Sequence, residues 1–216
     1  MLNIVILYSM NVQRYPLKED LNIEKVIEIA ETQNGIVTST QVTEAGIPRR
    51  ILSWMVKFEL LIRMERGIYI LPQFWPDDLY ILQQRFSRGI FSHETALYLH
   101  DMSDRTPSHY TMTFPFGYNT HRVINEGVIA KVVNQHTYPL GVIEMPSLVG
   151  NLINVYDVER TLCDLVKTRH GGDIQILNQA MKKYAESKEK DLAKLFDYAS
   201  QLRVKEKILT YMQILL

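Results

Sequence analysis

The chain has 216 residues, of which 46% are hydrophobic and 22% charged, and its 24 basic residues equal its 24 acidic ones. This composition is ordinary for a soluble globular protein and leaves room for one large or two modest domains. The single cysteine, Cys163, excludes an internal disulfide and a thiolate zinc site, and fits a reducing cytoplasm.

The chain begins with an apolar run, MLNIVILYSM. No basic residue precedes this run, no small-residue cleavage site follows it, and it is shorter than the about 20 helical residues that span a bilayer. No other segment approaches transmembrane length. We therefore expect residues 1–17 to form an N-terminal extension whose first ten residues are disordered or strand-like. Met10 is an alternative natural start of the protein.

Residues 22–33 place apolar side chains at helical spacing, with glutamates on the other face, which predicts an amphipathic helix. Asn34-Gly35 ends it, because glycine adopts the left-handed conformation of helix ends. After a short extended piece, Thr38 lies three residues before Gln41. This spacing predicts a capping box and a short helix through Ala45.

Gly46 breaks that helix, and Pro48 suits the first turn of the next one, predicted over Arg49–Phe58. Two short helices around a glycine turn are typical of a helix-turn-helix. The runs LLIRM and IYIL then flank Glu65-Arg66-Gly67, which predicts a β-hairpin, the wing. Residues 18–75 are thus predicted to form a winged helix-turn-helix.

The two prolines of the segment PQFWP, residues 72–76, indicate a domain boundary. Residues 77–216 are predicted to form a larger domain with helices, then several short strands, then a helical tail. The fold class is α+β. The predicted elements are a helix over Asp77–Arg88, a helix capped by Ser92, a strand over Tyr110–Phe114, short strands within 120–156, a helix capped by Asp157, and helices over Ile174–Glu186, Asp191–Leu202 and Val204–Leu215.

The zero net charge hides an asymmetry inside the first domain. Residues 19–44 are acidic, whereas residues 45–72 carry five basic side chains against two acidic ones. This change of sign predicts one repelled and one attracted face toward nucleic acid. The candidate DNA-binding residues are Thr38, Ser39, Arg49, Arg50, Ser53, Lys57, Arg63 and Arg66.

Arg50, Ser53 and Lys57 share one face of the second helix, and Arg49 begins it. A recognition helix presents its N-terminal side chains to base edges, so Arg49 or Arg50 suits a bidentate contact with guanine, and Lys57 a phosphate. Thr38 and Ser39 are predicted to contact backbone phosphate, and Arg63 and Arg66 phosphate or the minor groove from the wing.

Trp54 is more simply explained as packing between helix and wing than as stacking on a base. A domain with few basic residues binds DNA weakly alone, so we expect two copies to pair across an inverted repeat. The sequence is compatible with a monomer in solution and leaves the oligomeric state open.

The remaining sequence offers no convincing catalytic pattern. His93-Glu94 and His100-Asp101 are not HExxH, and the two histidines lie about 10 Å apart on a helix, too far to share one metal ion. Neither a glycine-rich phosphate loop nor GxSxG is present. We predict no enzyme, cofactor or metal. The alternatives that stay open are a DNA-targeted nuclease and a ligand-responsive winged-helix transcription factor.

Three further features are explained by structural roles alone. The charged cluster around one helix start is explained by capping and i, i+4 ion pairs. Cys163 is explained as a small core residue, and the lysines of the helical tail as a solvated face. The members of the charged cluster are Asp157, Glu159, Arg160 and Asp164.

The stretch GIVTSTQVTEAGIPRRILSWMVKFELLIRMERGIYILP resembles the N-terminal winged-helix domain of the AbiEi antitoxin family. The later motifs FSHETALYLHDMSDRTP, YTMTFPFGY, VYDVERTLCDLVKTR and AMKKYAE resemble the C-terminal domain of that family, in the same order. The similarity covers residues 22–215. Phe58-Glu59 departs from the Lys/Arg-Gly turn that is common after the recognition helix, which leaves the angle of the wing open.

The resemblance implies a cytoplasmic bacterial protein with two roles. It would repress its own operon by binding inverted repeats in the promoter, and it would counter a nucleotidyltransferase-like toxin, AbiEii, in a type IV toxin–antitoxin system of phage defence. Type IV implies that antitoxin and toxin form no stable complex. The second domain would be needed for antitoxicity.

Overall fold

A computed structural model describes residues 17–167 and 173–215 of the chain. The predicted N-terminal extension lies outside the described residues, apart from its last residue. The described chain divides into two compact units, the first ending at Ile81 and the second beginning at Leu82. None of the described helices is both long enough and apolar enough to cross a bilayer.

The N-terminal unit is a winged helix-turn-helix. Its small antiparallel sheet has the order β1-β3-β2. Helix α1 begins five residues earlier than predicted, because the sequence LKEDL that precedes residue 22 is itself helix-compatible. The elements are α1 (Leu17–Glu31), β1 (Ile36–Thr38), α2 (Ser39–Glu44), α3 (Arg50–Lys57), β2 (Ile62–Glu65) and β3 (Ile68–Ile70).

The core of this unit collects the apolar faces of all three helices. Val26 from α1, Val42 from α2 and Met55 from α3 are fully buried in one cluster. The predicted end of α1 is confirmed, since Asn34 and Gly35 have φ of 48° and 86°. The Gly35 N–H donates to Ala30 O at 2.8 Å and thereby closes the helix.

A further helix, α4 (Asp78–Arg85), contains the point at which the two units divide. Asp77 caps it, because its Oδ1 accepts from the backbone N–H of Tyr80 at 3.1 Å. The segment 72–76 before it contains neither helix nor strand.

The C-terminal unit combines a five-stranded mixed sheet with a helical layer. The sheet order is β6-β5-β4-β8-β7, in which the β4–β8 and β5–β6 pairs are parallel and the others antiparallel. The elements are β4 (Ile90–Phe91), α5 (His93–Leu99), β5 (Thr111–Pro115), α6 (His121–Asn125), β6 (Ile129–Val133), β7 (Val142–Pro146), β8 (Leu152–Tyr156), α7 (Val158–Lys167), α8 (Ile174–Glu186), α9 (Leu192–Gln201) and α10 (Lys205–Leu215).

Helix α7 is the centre of the second unit. It contacts α5, α8, α9 and α10, and every residue from Glu159 to Val166 is buried. A helix surrounded in this way has no solvated face, so its charged side chains must be paired inside the protein. The α+β class and the helical tail are confirmed.

The predicted cap of α5 is wrong in its chemistry. Ser92 occupies the N-cap position, but its side chain makes no capping hydrogen bond. Its Oγ instead accepts from Thr113 Oγ1 at 2.8 Å and lies 3.1 Å from His93 Nδ1. The Ser92 hydroxyl is thus bonded to Thr113 on the neighbouring strand β5. This contact joins residues far apart in sequence, so no local sequence pattern predicts it.

Candidate nucleic-acid interface

The turn between α2 and α3 fixes how the two helices meet. Gly46 has φ of 73°, its N–H donates to Thr43 O at 3.0 Å, and the N–H of Ile47 donates to Val42 O at 2.9 Å. This pair of bonds is the Schellman motif that ends a helix on a left-handed residue. The predicted glycine turn is therefore present.

Helix α3 is strongly two-sided. Ile51, Leu52 and Met55 are buried in the core of the unit, while Arg50, Ser53 and Lys57 are exposed on the other side. The hydrophobic face fixes the helix against α1 and α2, so the cationic face is presented to solvent. The structure thus brings these three predicted residues together on one exposed surface.

Arg49 precedes the first residue of α3 and is held in place by the neighbouring helix. Its Nε donates to Thr43 Oγ1 at 2.8 Å, and its side chain is exposed. Within residues 17–167 and 173–215, its two terminal amino groups have no hydrogen-bond partner. A guanidinium that is anchored through Nε loses less entropy when its terminal groups bind a base or a phosphate. Sequence analysis missed Thr43, since a spacing of six residues across a turn follows no helical rule.

The hairpin predicted after α3 is present as β2 and β3, with an irregularity in register between Arg63 and Glu65. Gly67, with φ of 81°, lies in the turn, and its carbonyl accepts from the N–H of Ser39 at 2.8 Å. Arg63 and Arg66 are exposed, and Arg63 Nε donates to Glu65 O at 3.3 Å. The wing is thus tied to the start of α2 and carries two exposed cations.

Thr38 and Ser39, both predicted to contact phosphate, already make hydrogen bonds inside the protein. The predicted capping box forms: the Thr38 hydroxyl accepts from Gln41 N at 3.3 Å and donates to Gln41 Oε1 at 2.9 Å. Thr38 is also buried, so it has no hydroxyl proton to offer to a phosphate. The Ser39 N–H is used by Gly67, which leaves only its half-buried hydroxyl as a donor.

Trp54 packs within the protein, as predicted. It is half-buried against the core of the first unit, and its ring lies 4.5 Å from that of Phe58, centroid to centroid. The aromatic pair covers the end of α3 just before the wing begins.

A second Schellman motif follows α3, and its left-handed position is occupied by a residue other than glycine. Glu59 has φ of 59°, its N–H donates to Val56 O at 3.1 Å, and the N–H of Leu60 donates to Met55 O at 2.9 Å. Glu59 therefore stands where glycine is favoured. The helix end and the wing are formed in spite of the missing glycine.

We predict that Glu59→Gly raises the free energy of unfolding of the first unit by about 1 kcal/mol, because glycine adopts the left-handed conformation without strain. The control is Glu59→Ala, which removes the same charge but keeps a Cβ at positive φ. Urea denaturation followed by tryptophan fluorescence compares the two. Equal stabilities of the two variants would contradict the strain argument.

The histidines that suggested a metal site have other partners. His93 Nδ1 lies 3.1 Å from Ser92 Oγ, while His100 Nε2 lies 2.8 Å from Tyr156 O. Burial lowers the pKa of His93 to about 3, with the charges of Lys131 and Arg160 acting in the same direction. Among the described residues, no three His, Cys, Asp or Glu side chains are grouped so that they could hold a metal ion.

The carboxylates of the charged cluster are engaged in structural contacts. Asp157 Oδ1 caps α7 by accepting from Arg160 N at 2.8 Å, and Lys194 Nζ bridges Asp157 and Glu159 at 2.9 and 3.2 Å. Tyr184 donates its hydroxyl to Glu159 at 3.1 Å. Capping and ion pairing account for the cluster, although the dominant partner, Lys194, comes from another helix.

Cys163 is fully buried in the helical core of the second unit, as predicted. Burial raises the pKa of its thiol to about 12, and the negative charge of Asp164 contributes in the same direction. A thiol of this kind is a packing residue.

Comparison with solved structures finds a chain with a similar fold. The chain is similar to the crystal structure of RV2827C protein from Mycobacterium tuberculosis, with a TM-score of 0.52 over 94% of this chain and 81% of that chain, at 15% sequence identity. At that identity the likeness concerns the fold alone. No curated protein matches the chain.

The family comparison concerns the winged helix itself. Residues 24–72, which include α2, α3 and the wing, match the family described as transcriptional regulator, AbiEi antitoxin. The match thus covers the exposed cationic helix face, its glycine turn and the hairpin that follows. Residues 24–72 of this chain are therefore similar to the AbiEi antitoxin family of transcriptional regulators.

Proposed function

We propose that the protein is an antitoxin and a transcriptional autorepressor of a type IV toxin–antitoxin operon. It binds inverted repeats in its own promoter and counters a nucleotidyltransferase-like toxin without forming a stable complex with it. The protein acts in the cytoplasm, without catalysis of its own. The observation that carries the DNA-binding part is the exposed cationic face of α3 next to a wing with two exposed arginines, within the segment that matches the antitoxin family.

In this proposal residues 18–75 form the DNA-binding domain and residues 77–216 form the antitoxin domain. Helix α3 enters the major groove, and Arg49 or Arg50 makes a bidentate contact with a guanine edge. Ser53, Lys57 and the wing arginines contact the sugar-phosphate backbone, which fixes the orientation of the helix. Ser39 adds a hydroxyl beside the wing, and Thr38 acts only as a cap.

Weak binding by one copy follows from the small number of cations. The surface offers the side chains of Arg49, Arg50, Lys57, Arg63 and Arg66 against Glu59 and Glu65. Few phosphates are neutralised by such a set, so counterion release alone gives low affinity at physiological salt. Two copies on the two half-sites of an inverted repeat then supply the affinity and match the symmetry of the site.

The test is a mobility-shift titration of the protein on its own upstream DNA and on a scrambled duplex, over a salt series. We expect Arg49→Ala combined with Arg50→Ala to reduce selective binding by about one to two orders of magnitude, because the one bidentate base contact that is lost contributes about 1–3 kcal/mol. Lys57→Gln should weaken both duplexes alike and reduce the salt dependence.

Lys25→Ala is the matched control, since Lys25 is exposed on α1 in the same unit but lies on the acidic stretch. Unchanged selectivity in the arginine variant would refute α3 as the recognition helix. For the antitoxin part, the arginine variant is expressed from an unrelated promoter together with the toxin. Growth rescue by this variant would separate antitoxicity from repression, whereas absence of rescue by the unaltered protein would refute the antitoxin role.

A further inference from the structure

The C-terminal unit contains a cleft of about 910 Å³ that the DNA-binding proposal does not use. It lies where the last residue of α7, the end of α9, the start of α10 and the loop after β6 meet. The residues that matter for its chemistry are Asn134, His136, Lys167, Arg203, Val204 and Lys207.

The cleft is cationic. Lys167, Arg203 and Lys207 are exposed side chains that line it, and the described lining includes no Asp or Glu. The Lys207 ammonium has only a long contact, 3.4 Å, to Val166 O. The carboxylate that acts on Lys167, Asp164, is buried and bonded to Arg160 at 2.9 Å. Three cationic side chains therefore line one concavity whose described lining contains no carboxylate.

The backbone holds Arg203 at this place in a strained conformation. Arg203 has φ of 61°, its N–H donates to Ser200 O at 3.2 Å, and the N–H of Val204 donates to Ala199 O at 2.8 Å. This is again the helix end at which glycine is favoured. Arg203 therefore lines the cleft from a position that costs backbone strain.

The start of α10 adds to the positive potential. Val204 precedes the helix and has no side-chain oxygen to accept from the N–H groups of its first turn. Those N–H groups carry partial positive charge, and Lys207 lies on the same turn. The contribution is secondary to that of the three cationic side chains, and it has the same sign.

We propose that this cleft binds the phosphate groups of a nucleotide-sized anion, of the nucleoside triphosphate class. Its volume lies in the range of small-molecule sites, about 300–1,000 Å³, and a concave site of this size suits a compact polyphosphate better than a duplex. On the loop after β6, Asn134 offers its amide NH2 and His136 its imidazole to the nucleoside part, while Asn134 Oδ1 accepts from Thr137 N at 2.8 Å. The proposal is independent of the winged helix and of its DNA contacts.

The test is isothermal titration calorimetry of the full-length chain with ATP, GTP, pyrophosphate and adenosine, with EDTA present so that no metal ion contributes. We expect saturable binding of the triphosphates and of pyrophosphate, and binding of adenosine at least about tenfold weaker. Raising the salt concentration should weaken the triphosphate complex.

Arg203→Gly separates loss of the site from loss of the fold. Glycine relieves the left-handed strain, so this variant should melt no earlier than the unaltered protein, yet it should bind triphosphate at least about tenfold more weakly. Lys207→Gln should show the same loss. Lys205→Gln, on the same helix but outside the lining, should bind normally.

Three outcomes would overturn the proposal. The first is absence of saturable binding of both triphosphate and pyrophosphate. The second is unchanged triphosphate affinity in Arg203→Gly and Lys207→Gln. The third is binding of adenosine with the same affinity as the triphosphates, which would show that the cleft does not recognise phosphate groups.

Discussion

Arg160→Met is expected to lower the free energy of unfolding of the C-terminal unit by about 3–5 kcal/mol, the usual cost of leaving one partner of a buried ion pair alone. Arg160 is fully buried on α7, and its Nε donates to Asp164 Oδ2 at 2.9 Å. Its Nη1 donates to the carbonyls of Thr137 and Leu140, and its guanidinium stacks 4.2 Å from the Tyr156 ring centroid. Methionine fills much of the same space but supplies none of these charges or donors.

The control is the double variant Arg160→Met with Asp164→Leu, which removes both charges. It should recover at least about half of the lost stability, since a buried pair replaced by apolar groups is often neutral. Trp54 and Trp75 both belong to the N-terminal unit. Far-UV circular dichroism reports on the helices of both units, whereas tryptophan fluorescence reports on the N-terminal unit alone. Unfolding of the C-terminal unit is therefore the part of the dichroism change that fluorescence does not follow. Equal losses in the single and double variants would show that the ion pair is not the cause.

The loss should also depend on pH. Burial raises the pKa of Asp164, and the charge of Arg160 opposes that rise. Without Arg160, the pKa of Asp164 in the folded state rises further above its value in the unfolded state. The variant is therefore more stable below the folded-state pKa of Asp164, and it loses stability as pH rises through that pKa. The gap between the unaltered protein and Arg160→Met should be smaller at about pH 5 than at about pH 8.

Gly35→Ala is expected to destabilise the N-terminal unit by about 3 kcal/mol, from backbone strain together with overpacking. Gly35 has φ of 86°, and a Cβ placed there would lie 2.3 Å from Phe74 Cγ and 2.5 Å from Phe74 Cβ. Phe74 packs on the core of the unit, so its ring has little freedom to retreat. The N–H and carbonyl of Gly35 also bind Ala30 and Leu71, which fix the backbone on both sides.

Gly46→Ala is the matched control in the same unit. Gly46 has φ of 73°, but a Cβ there would meet no atom within 4 Å. It should therefore cost only the left-handed strain, about 1 kcal/mol. Urea denaturation by tryptophan fluorescence measures both variants. If Gly35→Ala and Gly46→Ala lowered the free energy of unfolding equally, the contact with Phe74 would contribute nothing. Backbone strain alone would then account for the effect of Gly35→Ala.

The winged helix could be predicted from sequence because local signals determine it. The capping box at Thr38, the glycine at position 46 and the glycine turn at position 67 each act within a few residues, and each is present in the structure. The role of Thr38 shows the limit of such signals. The sequence allows the Thr38 hydroxyl either to cap α2 or to contact a phosphate. Its burial and its hydrogen bonds to Gln41 in the structure favour the cap.

The order of the five-stranded sheet could not be predicted in the same way. Strand β4 has two residues, and its neighbours in the sheet are β5 and β8, one of them more than 50 residues away along the chain. Strand pairing over such separations leaves no local pattern. The same holds for the Lys194 bridge to Asp157, because α9 approaches α7 only in the folded unit.

The chain contains a single thiol, and that thiol is sealed inside the helical core with its ionisation suppressed. Maleimide dyes require an accessible thiolate, so they should leave the folded protein untouched. A cysteine introduced by Lys25→Cys, on the acidic stretch of α1 and outside the DNA-binding surface, would then be the only labelled residue. The native background is thus already suited to fluorescence anisotropy measurements of docking on a duplex.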